Sequence, residues 1–277
     1  MLNIETEISE YITWLKQKRN VSENTRREYE RRVGKFFEWL GDAPITEASV
    51  LNYLSSLGQA GMSDKTINCY RDAISAYMKF RNLNFEKPPI RKLVEKIPDI
   101  IEDDKLFKEV IIEKAEDIFK RKPEKAVALL YLFYDTGLRP SSVVSLKREN
   151  FFLEKNMGIC LNVKSKKQQF FYFTREARIA FEVYFDIEEE EKNAFNISRS
   201  GISRLFRVLK KYERLKGIKL RPTLFRHNIA SILANAGFTE KELQEFLGHS
   251  SPISTKPYVK LNTDRVKNKY IDIRNKK

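Results

Sequence analysis

Apolar residues in the first eighty positions recur at helical spacing, and each run is bounded by a capping residue or a glycine. That pattern constrains the fold more than any other feature of the chain. Ser22 can cap a segment that places Tyr29, Val33, Phe36, Phe37 and Leu40 on one face, and Gly41 stops it. Arg26, Arg27, Arg31, Arg32 and Lys35 fall on or beside the opposite face. A shorter segment covers about 46–57. A third starts near Ser63 and aligns Ile67, Tyr70, Ile74, Tyr77 and Met78. With a helix over 5–19, the first eighty residues read as a four-helix unit.

Periodicity then breaks. Asn82, Asn84, Pro88, Pro89, Pro98 and the pair Asp103–Asp104 read as a linker over 83–105, with a wrapped connector equally compatible. The second half is mixed. Lys122-Pro123 opens a helix that runs to Asp135 and ends at Gly137. Phe151–Leu153, Ile159–Val163 and Phe170–Phe173 read as a small antiparallel sheet, the last two strands flanking the turn KSKKQQ. Helices return over 202–216 and 223–236. Thr239 to Glu242 form a capping box for a short helix ending at Gly248. In the 202–216 helix Ile202, Leu205, Phe206, Leu209, Tyr212 and Leu215 face inward, and Arg204, Arg207, Lys211 and Arg214 face outward. The expected fold class is mainly α (α+β): a helical unit over 1–82, a linker over 83–105, and a larger helical unit with a small sheet over 106–277.

Composition sets the outer bounds. The 277 residues are 42% hydrophobic and 32% charged, with 10 Gly and 9 Pro, which suits a sizeable core and excludes a disordered or collagen-like chain. Cys69 and Cys160 form no CxxC, so a disulfide framework or structural zinc is not expected and a cytoplasmic setting is. The start, MLNIETEISEY, lacks the apolar stretch of a signal peptide. The longest apolar run, Ala126 to Tyr134, is nine residues, far below the roughly 20 that a spanning helix needs. No membrane partner is expected. The formal net charge is +14, which favours a polyanionic partner. Residues 201–277 carry 18 basic and 6 acidic side chains, so nearly all the surplus lies there.

Four places within the second half could do chemistry: Thr136-Gly-Leu-Arg139, the lysines at 164, 166 and 167, Arg226-His227, and Leu247-Gly-His249 followed by Tyr258. Each alone is compatible with a surface arginine, a solvated turn, a helix-end histidine or a packing tyrosine. Their order and spacing carry more. RHNIASILANAGFTEKELQEFLGHSSPISTKPY, TGLRPSSVVSL and the helical segments SENTRREYERRVGKFFEWL and KTINCYRDAISAYMKF resemble the tyrosine recombinase (integrase) family. That family includes phage-type integrases and Xer-like recombinases, and the resemblance spans about residues 8–262.

The resemblance implies a site-specific DNA recombinase that forms a 3′-phosphotyrosine. Tyr258 would be the nucleophile. Arg139 and Arg226 would clamp the non-bridging phosphate oxygens with forked, permanently charged donors. His249 would donate a further hydrogen bond or help remove the tyrosine proton, and nearby cations and a desolvated site would favour the phenolate. A hairpin lysine would protonate the leaving 5′-oxygen: Lys166, with Lys164 and Lys167 as rivals. The phosphotyrosine conserves bond energy, so no nucleotide, metal or other cofactor is implied. Double-stranded DNA is the expected partner, bound through phosphates and steeply salt-dependent. Arg26, Arg27 and Lys35 would form one basic wall and Arg204, Arg207 and Lys211 another. A homotetramer on two DNA sites is the assembly the resemblance implies.

Two positions depart from the family pattern. Thr223 stands where a His or Lys is usual, and Ser142 where a Glu is frequent. Thr223 offers a neutral hydrogen bond to a phosphate, and without Glu the support of Arg139 must differ. These departures keep two alternatives open: a catalytically weak or idle DNA-binding accessory factor, and type IB topoisomerase-like cleavage and religation without strand exchange. His227 reads as a structural histidine packed behind the site.

Overall fold

The computed structural model describes residues 4–83, 86–91, 112, 115, 119, 121–162, 167–187, 193–211, 220–249, 251–255, 257, 258 and 271. The chain divides into two compact units, Met1–Glu95 and Lys96–Lys277.

The first unit holds α1 (Ile4–Arg19), α2 (Glu23–Leu40), α3 (Glu47–Gln59) and α4 (Asp64–Phe80). Their ends follow from local chemistry. The side chains of Ser22, Thr46 and Ser63 each accept a backbone N–H three residues on, and Gly41 closes α2 at a positive φ. The apolar stripes meet in a core of Tyr11, Leu15, Val33, Phe36, Phe37, Tyr53, Ile67, Tyr70, Ile74 and Tyr77. Burying one such side chain contributes about 1.5–3 kcal/mol. Two buried hydroxyls are satisfied: Tyr11 donates to the Ala73 carbonyl, and Tyr77 donates to Glu7, which also pairs with Arg81. Residues 86–91 run back along α4. Arg91 and Asn68 exchange two hydrogen bonds at 3.0 Å, Arg91 reaches Asp64, and Lys87 pairs with Asp72. The stretch read as the start of a linker is, over these residues, a wrapped connector.

The second unit is organised by α5 (Pro123–Thr136), whose buried residues include Leu129, Leu130, Leu132 and Phe133. After the single turn α6 (Pro140–Val143) come β1 (Phe151–Phe152), β2 (Met157–Asn162) and β3 (Lys167–Tyr172), paired antiparallel in the order β1-β2-β3. Phe151 is the aromatic hub, with edge-on contacts to Phe171, Phe181, Phe185 and Phe195. Then follow α7 (Arg175–Ile187), α8 (Arg199–Leu209), α9 (Pro222–Asn235) and α10 (Glu240–Leu247).

Several boundaries differ from the sequence reading. β3 begins at Lys167 rather than Phe170, because Gln169 can enter the sheet interior: its amide donates to the Phe246 carbonyl at 2.6 Å. Lys167 is thus a strand residue paired with Asn162, and Val163, Lys164 and Lys166 lie outside the described residues. The sequence reading assigned no element to α7. Its start is fixed by Thr174, whose N–H and Oγ1 both donate to Asp135 at 2.7 Å while Oγ1 accepts from Ala177. α8 starts three residues earlier than expected, capped by Ser198. Tyr212, Arg214, Leu215 and the acidic run 188–191 fall outside the described residues. Among the described residues, no helix is long and apolar enough to cross a membrane.

Candidate active site

The ends of α5, α9 and α10 converge in the second unit, and Arg226 ties them together. It sits one turn into α9 and is buried, at 7% exposure. Its Nη1 donates to the Gly137 carbonyl at 2.9 Å, and its Nη2 donates to the Leu247 carbonyl. One guanidinium therefore joins the turn after α5 to the end of α10. Arg139, half-buried, opens α6 and donates to the Gly248 carbonyl at 3.3 Å. Asn162, at the end of β2, donates to the same carbonyl at 2.6 Å.

Glycine is required at the two turns that these arginines hold. Gly137 has φ +57°, and a Cβ there would meet Ile229 Cγ2 at 2.8 Å and the Arg226 Cα at 3.0 Å. Gly248 has φ +59°, and a Cβ there would meet the Gln169 amide oxygen at 2.1 Å. Both are left-handed helix stops against a close neighbour. Gly137→Ala is expected to destabilise the protein by about 1–3 kcal/mol, from left-handed strain and overpacking. It should also push α9 and Arg226 off the turn. Denaturant midpoints check this, and an unchanged midpoint would contradict the close packing described.

Tyr258 is 4% exposed, and its ring packs in a small apolar cluster with Ala230, Ala234, Leu243 and Leu247. Its hydroxyl is hydrogen-bonded to Nδ1 of His227, the ring centroids being 5.7 Å apart. Here the structure corrects one sequence reading. His227 is not packed behind the site: it holds the tyrosine oxygen. Nδ1 of His249 bonds Thr255 Oγ1 at 2.9 Å and so fixes the loop that carries Tyr258. Thr255 is fully buried, and its carbonyl accepts the Tyr258 N–H.

Electrostatics groups the same residues. Burial brings the Arg226 pKa down to about 9, and Arg139 pushes it the same way while Tyr258 and Cys160 oppose. Arg139 is lowered by burial as well. Two guanidiniums in one desolvated pocket favour an anion between them. The Tyr258 pKa is raised, because burial outweighs the two arginines that lower it. The cations act as expected, but the expectation that a desolvated site favours the phenolate is overturned: burial acts against it, and the hydroxyl keeps its proton at neutral pH. Burial also pushes the Cys160 thiol up to about 11, so it stays protonated and is no nucleophile.

The departures have clear placements. Ser142 is buried and donates to the Leu161 carbonyl at 3.4 Å, holding the Arg139 turn against β2. Thr223 is exposed in the first turn of α9. Lys167 is exposed at the start of β3. In the first unit Arg27 and Lys35 are exposed, Arg27 pairing with Glu23. Arg26 is half-buried and donates to the Val21 carbonyl, so it trims the α2 entry rather than standing free on a basic face. Arg204, Arg207 and Lys211 are exposed on one side of α8 and its end. Among the described residues, no three His, Cys, Asp or Glu are placed to hold a metal ion.

Residues 108–265 match the family model described as the phage integrase family, and residues 8–82 match that of its N-terminal SAM-like domain. The chain is 29% identical over 272 residues to the tyrosine recombinase XerA of Pyrococcus furiosus, covering 94% of this chain and 91% of that protein. Its fold is similar to the integrase of transposon Tn1549 in complex with transposon right end DNA. The TM-score is 0.74 at 17% identity, over 96% of this chain and 99% of that one. It is also similar to a lambda integrase tetramer bound to a Holliday junction, with a TM-score of 0.70 at 14% identity, over 92% and 76% of the two chains.

Proposed function

The chain belongs to the phage integrase family and is a site-specific DNA recombinase, and we propose that it cuts and rejoins DNA through a 3′-phosphotyrosine on Tyr258. One observation carries this assignment of residues: two buried or half-buried arginines and one buried tyrosine share a single electrostatic cluster. A phosphodiester bound there neutralises the repulsion between Arg139 and Arg226. As the tyrosine oxygen attacks phosphorus, charge grows on the non-bridging oxygens, where forked donors stabilise it. His249 anchors the loop of the nucleophile through Thr255 and contributes to the phosphate site. The leaving 5′-oxygen needs a proton, and Lys166 supplies it, with Lys164 and Lys167 as the alternatives. A 5′-hydroxyl from another strand then attacks the phosphotyrosine and restores the phosphodiester.

We assign residues 1–82 to DNA binding and 106–277 to catalysis. Arg27 and Lys35 in the first unit, and Arg204, Arg207 and Lys211 in the second, contact backbone phosphates, with Arg26 as support. The likeness to the lambda integrase tetramer supports a homotetramer acting on two DNA sites.

The test is direct. Nicked duplexes that trap the cleaved state are incubated with the protein, and any covalent adduct is mapped by peptide mass spectrometry. The expected adduct lies on the peptide containing Tyr258. An adduct on another of the 12 tyrosines, or cleavage that leaves free 3′ ends with no adduct, would overturn the assignment.

A further inference from the structure

We propose that His227 is the base that takes the phenolic proton of Tyr258 when the tyrosine attacks. The inference rests on the reading of Tyr258 as nucleophile and gives a chemical role to a histidine whose sequence context reads as structural. Its ground is the hydrogen bond between His227 Nδ1 and the Tyr258 hydroxyl. The neighbours that interact with this hydroxyl electrostatically, Arg139 and Arg226, are cations with no acceptor. Thr223 is exposed and is no base at neutral pH. Imidazole has an ordinary pKa near 6.5, suited to taking and returning a proton at neutral pH.

The helix sets this division of labour. Consecutive residues on α9 point about 100° apart. Arg226 reaches the carbonyls of Gly137 and Leu247, while His227 reaches Tyr258. Burial makes an acceptor necessary, since the hydroxyl holds its proton against both arginines.

The proton balance is simple. With hydrogen on Nε2, the lone pair of Nδ1 faces the hydroxyl. The O–H bond of Tyr258 breaks and its proton passes to Nδ1, giving an imidazolium. The freed pair forms the oxygen–phosphorus bond. The bond from phosphorus to the 5′-oxygen breaks, and that oxygen is protonated by a hairpin lysine. On religation a 5′-hydroxyl returns a proton to that lysine as its oxygen bonds phosphorus, and the bond from phosphorus to the tyrosine oxygen breaks as that oxygen recovers the proton from His227.

The test compares His227→Asn with the wild type in single-turnover cleavage of nicked duplex. Asn places an amide near the position of Nδ1, so it keeps a hydrogen bond to the hydroxyl but accepts no proton. Cleavage is expected to slow by about 10²-fold or more, with DNA affinity and melting temperature near wild type. Fluorinated tyrosine at 258, with a lower phenol pKa, should restore most of the lost rate in His227→Asn while leaving the wild-type rate little changed. A purely structural histidine would give no such rescue. Should Asn lower the melting temperature, His227→Gln is used in the same rescue. Cleavage by the variant within about threefold of wild type, or slow cleavage that fluorotyrosine fails to rescue, would overturn the proposal. Failure of the nucleophile reading is distinguishable, because the wild type would then form no adduct on Tyr258.

Discussion

Replacing Tyr258 by Phe is expected to abolish the covalent DNA adduct while DNA affinity stays within about threefold of wild type. The ring is what the apolar cluster of Ala230, Ala234, Leu243 and Leu247 contacts, and Phe retains it. The hydroxyl's bond to His227 is lost, which costs about 1 kcal/mol. The variant should therefore fold, bind DNA and leave every strand intact. Nicked duplex incubated with the variant and resolved on a denaturing gel reads the result. A persistent adduct would assign the nucleophile to another side chain.

The second large effect is expected at Arg226. Arg226→Ala should lower the cleavage rate by at least ~10²–10³-fold, the usual effect of removing one donor to a developing oxyanion. It should also destabilise the fold. The carbonyls of Gly137 and Leu247 would be left buried without their donor, at about 1–3 kcal/mol each. Arg139→Ala should show a comparable rate loss with a much smaller stability change, because Arg139 is half-buried and the Gly248 carbonyl keeps Asn162. Arg226→Lys keeps a charge but not the fork, and should recover little of either property. Chemical denaturation beside single-turnover cleavage separates the two arginines. Equal stability losses in both alanine variants would contradict the role of Arg226 as a tie between chain segments.

Much of this architecture was legible because it is local. The stripe Val33–Phe36–Phe37–Leu40, the serine and threonine caps and the stops at Gly41, Gly137 and Gly248 each need only a few neighbouring residues. Ile67, Tyr70, Ile74, Tyr77 and Met78 are all buried, as their spacing requires. What was not legible depends on distant partners. Gln168 and Gln169 looked like turn residues; Gln169 becomes a strand residue because the Phe246 carbonyl, 77 residues on, satisfies its amide. Ser142 looked like a missing acid until the Leu161 carbonyl appeared beside it. His227 looked structural because sequence shows its neighbour Arg226 but not the hydroxyl 31 residues away. The charge state of Tyr258 turns on the sign of desolvation. Nearby cations do favour a phenolate, but a desolvated pocket favours the neutral hydroxyl rather than the anion, and at this depth of burial desolvation wins.

Because Arg226 staples the ends of α5 and α10, a lineage that lost cleavage would still find this side chain hard to discard. An apolar replacement would strand two carbonyls, and a shorter polar one would not span them. Descendants that merely bind DNA would thus keep the arginine for the fold alone. The hydroxyl of Tyr258 closes no such framework, so drift would erase it first. If Tyr258 is the nucleophile, its presence would separate working enzymes from silent ones, whereas the arginine would testify chiefly to an intact scaffold.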